Sequence, residues 1–162
     1  MTEAGFEECF REHFPRLVAL GETMTGDSAV AHELAQESFV RLHARWETVS
    51  GYDRPDGWLR RVMSNLLIDH HRSRVAERRA VERLATRARR DDGPDAFEPD
   101  AWSDLVAALP SRQRLVVTLF YGFDQSISEV ADAMGVSQST VKSSLSKARE
   151  ALRAGLEQHS VE

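Results

Sequence analysis

Ten residues divide this chain. DDGPDAFEPD, residues 91–100, carries five acids and no base, with Gly93, Pro94 and Pro99 among them. Neighbouring carboxylates repel and Pro and Gly interrupt regular structure, so the segment predicts an extended linker. It leaves two modules, residues 1–90 and 101–158, each small enough that a few packed elements must make its whole core. Neither module shows a convincing period-two alternation, and no internal repeat is visible. The expected fold class is therefore all-α: two small helical domains joined by an acidic linker.

Composition narrows the function. At 41% hydrophobic and 29% charged residues the chain is that of a globular protein. No apolar run approaches the roughly 20 residues that span a bilayer. The N-terminus MTEAGFEECF has no basic region followed by an apolar one, so a cytoplasmic protein without membrane insertion is expected. A single cysteine, Cys9, excludes an internal disulfide and a Cys-based zinc cluster, and reads as a small packed hydrophobe. The net charge of −5 argues against tight binding to free DNA, but the charge is unevenly placed. From Arg60 to Arg90 there are ten arginines against Asp69, Glu77 and Glu82. Such a segment can touch phosphates locally within an acidic chain.

In the first module Phe6, Phe10, Leu17 and Leu20 form an early helical face, with Pro15 as a restart or kink. TGDSAVAHELAQESFVRLHARW follows, with Asp27 or Ser28 as N-cap. Ala31, Leu34, Ala35, Ser38, Leu42 and Trp46 share one face of this helix, with Phe39 at its edge. Glu33, Gln36, Glu37 and Val40 share the other. That face is either a solvated surface or a partner surface, and an apolar Val40 between carboxylates is the residue that raises the second possibility.

GYDRPDG is a turn-rich loop whose Pro55 and Asp56 suit the start of a helix over about 56–75. Trp58, Leu59, Val62, Met63 and Leu66 cluster on its core side. Arg60, Arg61, Ser64, Asn65, Ile68, His71 and Arg72 occupy the opposite side. Within LLIDHHRSR, residues 66–74, the trio Asp69, His70 and His71 could suggest a metal-dependent phosphoesterase. Histidines share a metal on a helix when they are i, i+4, whereas consecutive residues fan out around it. DHH phosphoesterases bear the same trio, but they also need a strand end and further aspartate motifs that are absent here. The stretch reads as a basic helix with His70 packed and His71 exposed; no metal and no cofactor are expected.

In the second module WSDLVAALP and RQRLVVTLFYGF are apolar-faced helices separated by Pro110 and Ser111. Ser126 and Glu129 have capping-box spacing, Val130, Ala131 and Met134 face inward, and Gly135 supplies a sharp turn. Ser137 caps a second helix with the buried stripe Val141, Leu145, Ala148 and Leu152. Its outer face carries Gln138, Ser139, Lys142, Ser143, Ser146, Lys147 and Arg153, with Thr140 in the same first turn. A short helix, a glycine turn and a second helix with polar and cationic residues near its start make a helix-turn-helix.

These pieces, in this order, resemble an extracytoplasmic-function (group IV) sigma factor of the sigma-70 family of bacterial RNA polymerase, over nearly the whole chain. TGDSAVAHELAQESFVRLHARW looks like conserved regions 2.1–2.2 and DGWLRRVMSNLLIDHHRSR like regions 2.3–2.4. LVAALPSRQRLVVTLFYGFDQSISEVADAMGVSQSTVKSSLSKAREAL looks like region 4. The resemblance implies a region 2 bundle at 1–90 and a region 4 helix-turn-helix at 101–158. It also implies that Glu33, Gln36, Glu37 and Val40 dock on the β′ clamp helices of core RNA polymerase, with region 4 meeting the β flap. The loop Gly51–Gly57, with Tyr52, Asp53 and Arg54, would capture a flipped base of the minus-ten element beside Arg61, Asn65 and Arg72. Gln138, Ser139, Thr140, Lys142, Ser143, Ser146 and Lys147 would read the minus-thirty-five element. The acidic linker would pass near the path of the nascent RNA. Promoter DNA and core polymerase are thus the implied partners, an anti-sigma factor is a further partner class the family admits, and no catalysis is implied. One departure stands out: where many members read VKSRL this chain reads VKSSL, with Ser144 in place of an arginine. No further domain is expected after the last helix. A stand-alone helix-turn-helix regulator is the alternative; it would bind duplex DNA unaided.

Overall fold

The computed structural model describes residues 3–84 and 101–160, and among them every regular element is helical. The linker expected at 91–100 and the boundary expected at residue 90 lie outside the described residues. The first module holds α1 (Glu3–Thr25), α2 (Ser28–Ala44), a short α3 (Trp46–Val49) and α4 (Pro55–Leu84). The second holds α5 (Ala101–Ala107), α6 (Ser111–Val117), a π-helical turn (Thr118–Gly122), α7 (Ile127–Met134) and α8 (Gln138–His159).

α1 and α2 form an antiparallel pair, and α4 lies across both. Gly21 sets how close the pair comes: a Cβ there would meet the Ala31 Cβ at 3.0 Å and the Met63 Cε at 3.1 Å. Between them α1, α2 and α4 bury Leu17, Ala31, Phe39, Leu42, Leu59, Met63 and Leu67. Phe6, Phe10 and Phe14 extend this core outward by ringing Phe39, with centroid separations of 6.1, 4.9 and 5.9 Å. α1 does not restart at Pro15; it runs through that residue as one helix. It ends at Gly26, whose φ of +69° lets the chain reverse, and the Asp27 carboxylate then accepts from the Val30 N–H at 3.1 Å to cap α2.

The second module is built on local signals. The capping box is complete: Ser126 Oγ accepts from the Glu129 N–H at 3.1 Å, and Glu129 Oε2 accepts from the Ser126 N–H at 2.8 Å. Gly135 closes α7 in the left-handed conformation at φ +66°. Ser137 Oγ accepts from the Thr140 N–H at 3.1 Å to open α8. Val130, Val141, Leu145, Ala148 and Leu152 are buried as expected and pack on Leu115, Val116 and Leu119.

The expected solvent side of α4 is corrected. Arg60, Ser64 and Ile68 do not face water: Ser64 is fully buried, Ile68 nearly so, and the Arg60 side chain is 13% exposed. The second module reaches Ser64 and Arg60. Gln125 Nε2 donates to Ser64 Oγ at 2.8 Å, and Arg60 Nη1 donates to Asp124 Oδ2 at 2.9 Å. Arg114 Nη1 donates to the Met24 carbonyl at 3.4 Å. His71 is also half-buried rather than exposed. α4 itself runs to Leu84, past the expected end near residue 75.

Candidate polymerase and promoter interfaces

Burial of the apolar stripe of α2 turns its other side outward. Glu33, Gln36, Glu37 and Val40 are all exposed, and Val40 keeps 63% of its surface in water. Glu37 Oε1 accepts from Arg41 Nε at 2.7 Å, a surface pair of modest worth. What distinguishes the face is its unburied valine.

The loop after α3 projects Tyr52, Asp53 and Arg54 into solvent before Pro55 starts α4. Tyr52, Arg54, Trp58 and Arg61 form one wall of a cleft of about 350 Å³. Asp124, Gln125 and Glu129 of the second module form the other wall. Asn65 and Arg72 lie exposed farther along α4, and Arg72 Nη2 donates to the Ala133 carbonyl at 3.4 Å. The expected minus-ten residues therefore share one side of the first module.

Asp56 anchors the loop end. Arg60 Nη2 donates to its carboxylate at 2.8 Å and Arg54 Nη2 at 3.4 Å. Burial pushes this carboxyl up, but Arg60 and Arg54 outweigh it and hold it below the usual aspartate value. Sequence reasoning missed Arg60 as the organiser. Its i, i+4 spacing from Asp56 was the available signal.

The charged groups near His70 are Arg74, Glu77 and Asp27, whereas those near His71 are the arginines Arg78, Arg114 and Arg112. Burial, then Arg74, lowers the His70 imidazole below its ordinary value. Burial, then Arg78, Arg114, His70 and Arg112, does the same for His71. Among the described residues no group of three His, Cys, Asp or Glu side chains could hold a metal ion. Cys9 is half-buried; burial, with Glu12 and Asp56, raises its thiol and keeps it protonated.

On α8, Gln138, Ser139, Lys142, Ser143, Ser146 and Lys147 are exposed, while Thr140 is half-buried with its hydroxyl 2.8 Å from Ser137 Oγ. Ser139, Thr140, Ser143 and Lys147 line a groove of about 440 Å³ whose far wall is Arg112 and Gln113 of α6. Those two residues did not enter the sequence reading. Ser144 lies in the same groove and is half-buried.

A helix-turn-helix whose second helix keeps a polar and cationic outer face, beside a bundle that presents a basic helix and an open loop, is the architecture of a DNA-binding protein. Residues 9–77 match the family described as sigma-70 region 2, and residues 100–152 match sigma-70, region 4. The RNA polymerase sigma-E factor of Streptomyces avermitilis is 32% identical over 152 residues, covering 94% of this chain and 85% of the relative. The ECF RNA polymerase sigma factor SigL of Mycobacterium tuberculosis is 29% identical over 154 residues, covering 92% and 87%. The sigma factor RpoE bound to the anti-sigma factor NepR from Bartonella quintana shares the fold, with TM-score 0.62, 20% identity and coverage of 94% and 97%. CnrH in complex with the cytosolic domain of CnrY does so with TM-score 0.53, 22% identity and coverage of 97% and 90%. The chain belongs to the sigma-70 family of RNA polymerase sigma factors, in its extracytoplasmic-function group, and its function is in transcription initiation.

Proposed function

We propose that the chain joins core RNA polymerase in the cytoplasm and gives it promoter specificity through three surfaces, without catalysis of its own. Glu33, Gln36, Glu37 and Val40 dock on the β′ clamp helices. Tyr52, Asp53 and Arg54, with Arg61, Asn65 and Arg72, hold the opened minus-ten strand. Gln138, Ser139, Thr140, Lys142, Ser143, Ser146 and Lys147 read the minus-thirty-five duplex while the second module meets the β flap. The region 2 part is residues 1–90 and the region 4 part 101–158.

The observation that carries this reading is Val40, 63% exposed between carboxylates on the side of α2 opposite its buried stripe. Burying that side chain against a partner removes its apolar surface from water. Base capture has a matching physical basis. Unstacking costs a few kcal/mol, which stacking on Tyr52 and phosphate contacts from arginines offset. An anti-sigma factor is a further partner, since the related RpoE structure is a complex with the anti-sigma factor NepR and the related CnrH structure a complex with the cytosolic domain of CnrY.

The test is in vitro transcription with purified core polymerase and a promoter library. Transcripts that start at fixed positions below a shared pair of elements, only when this protein is added, support the proposal. Duplex binding by the protein alone, with no start-specific transcripts, would replace it with a stand-alone regulator.

A further inference from the structure

We infer that the outward stripe of α4 continues past the helical bundle as an arginine rail for the duplex just upstream of the minus-ten element, with Arg79 and Arg83 as its phosphate contacts. The inference rests on the minus-ten surface proposed above and adds to it a second, sequence-independent contact.

α4 runs on to Leu84, although its last buried residue is Ile68. At about 1.5 Å per residue, roughly 24 Å of helix extends past that point. The sequence there, RSRVAERRAVERL, is rich in Ala, Arg, Glu and Leu, which favour helix even where little packs against it.

Charge on this helix is sorted by face. Advancing about 100° per residue, Arg61, Asn65, Arg72, Ala76, Arg79 and Arg83 fall within an arc of roughly 60°. All of them are exposed. Asp69 only borders the arc, and Glu77 and Glu82 lie outside it on either side, so no carboxylate interrupts the arginines. A face that is merely solvated is best served by opposite charges at i, i+4. Arg79 and Arg83 instead place like charges at that spacing, which costs stability until an anion lies between them. The chain as a whole is acidic, at net charge −5, so affinity for phosphate has to come from a sorted stripe of this kind.

The rail points at paired DNA. α4 begins beside the loop of Tyr52, Asp53 and Arg54, so on the proposed reading the opened strand lies at the N-terminal end of the stripe. Promoter opening proceeds downstream from the minus-ten element, and the C-terminal end of α4 therefore meets duplex on the upstream side. Arg79 and Arg83 lie about 21 and 27 Å along the helix axis from Asn65. At ~3.4 Å per base pair that distance corresponds to about six to eight base pairs. Over the roughly 16 Å of helix from Arg72 to Arg83, a duplex presents about ten phosphates, one per ~1.7 Å. A guanidinium group binds phosphate through its planar fork and takes no account of the base.

The test is holoenzyme, purified core polymerase with the full chain, binding two fluorescein-labelled fork-junction probes read by anisotropy. Both carry a single-stranded minus-ten element selected by transcription from the promoter library, and neither carries a minus-thirty-five element. One continues upstream as about two base pairs of duplex and the other as about twelve, enough to reach past the expected contacts. The parent should bind the long probe more tightly. Arg79→Ala with Arg83→Ala should lose that advantage and bind the short probe as the parent does, while Arg79→Lys with Arg83→Lys should keep most of it. Two lost phosphate contacts reduce the salt slope by about 1.8, so the parent-to-variant ratio on the long probe should shrink roughly tenfold between about 50 and 200 mM salt. Arg11→Ala, an exposed arginine on α1, should change neither probe. Methylphosphonate linkages about six to eight base pairs upstream of the minus-ten element should reproduce the loss with the parent protein, independently of any variant's folding. Equal loss on both probes, loss on neither, a loss that follows the spacer sequence, or parent binding indifferent to the methylphosphonates overturns the rail. Parent holoenzyme that binds the short probe no better than one with a scrambled minus-ten element instead sinks the minus-ten reading, whatever the arginines do.

Discussion

Glu37→Lys with Val40→Glu should abolish core-polymerase binding and leave the fold standing. Fully burying a valine is worth about 1.5–3 kcal/mol, and Val40 has 63% of its surface left to bury. Docking that covers it therefore gains about 1–2 kcal/mol, which its loss converts to a factor of about 5–30 in Kd. A carboxylate forced into the same contact adds an unpaired buried charge, taking the total to about 3–5 kcal/mol, or a hundred- to several-thousandfold. The intramolecular cost is small. Glu37 loses only the exposed pair with Arg41, worth about 0.3–0.5 kcal/mol, and Val40 touches water already. Fluorescence anisotropy of labelled protein against core polymerase measures the first effect, and thermal unfolding monitored by circular dichroism the second. Leu42→Asp, on the fully buried side of the same helix, is the contrasting control and should unfold the module. Binding within twofold of the parent at an unchanged Tm would refute the assignment of that face.

Four further predictions follow from the same geometry. Asn65→Ala should impair promoter opening and be partly rescued on a pre-melted template, whereas Lys142→Ala should weaken upstream binding on both templates; permanganate footprinting with abortive initiation separates the two. Arg112→Ala should weaken upstream-duplex binding across sequences alike and flatten the salt dependence by about one unit, as loss of one phosphate contact does, read by anisotropy titrations at several salt concentrations. Ser126→Ala removes one half of the capping box and should destabilise the second module by about 0.5–2 kcal/mol in urea unfolding. His70 and His71 are held below the ordinary histidine value of 6.5, so below that pH the unfolded chain binds protons that the folded chain refuses. Stability is therefore full above pH 6.5 and falls as the pH drops beneath it; Tm measured from pH 7.5 to 5.5 should show the decline, and His70→Gln with His71→Gln should flatten it.

What could be read from the sequence followed the range of the forces involved. The capping box at Ser126 and Glu129, the Gly135 turn and the α8 stripe are set within a few residues of one another, and each came out as expected. The outward face of α2 was equally plain, because burying Ala31, Ala35 and Leu42 leaves Glu33, Gln36, Glu37 and Val40 nowhere else to go. α4 is different. Its helical wheel treats a residue opposite the core as exposed, yet Ser64 and Arg60 are held by Gln125 and Asp124, more than fifty positions away. A periodicity argument carries no information about a second partner on the other side of the same helix. The π-helical turn was equally hidden: TLFYGF has no local sign of a widened turn. Its Phe123 N–H bonds back to the Thr118 carbonyl at 3.1 Å while Phe123 itself is buried and Gly122 presses on Leu20. Arg112 and Gln113 joined the groove along α8 for the same reason, since only tertiary packing sets α6 beside α8.

The most direct measurement of the central claim is run-off transcription from one selected promoter, with purified core polymerase and four templates: intact, minus-ten scrambled, minus-thirty-five scrambled, and both. The account predicts a single start site that appears only with this protein, is lost when the minus-ten element is scrambled, and is weakened when the minus-thirty-five element is. Transcription that ignores both elements, or that core polymerase performs equally well alone, would contradict it.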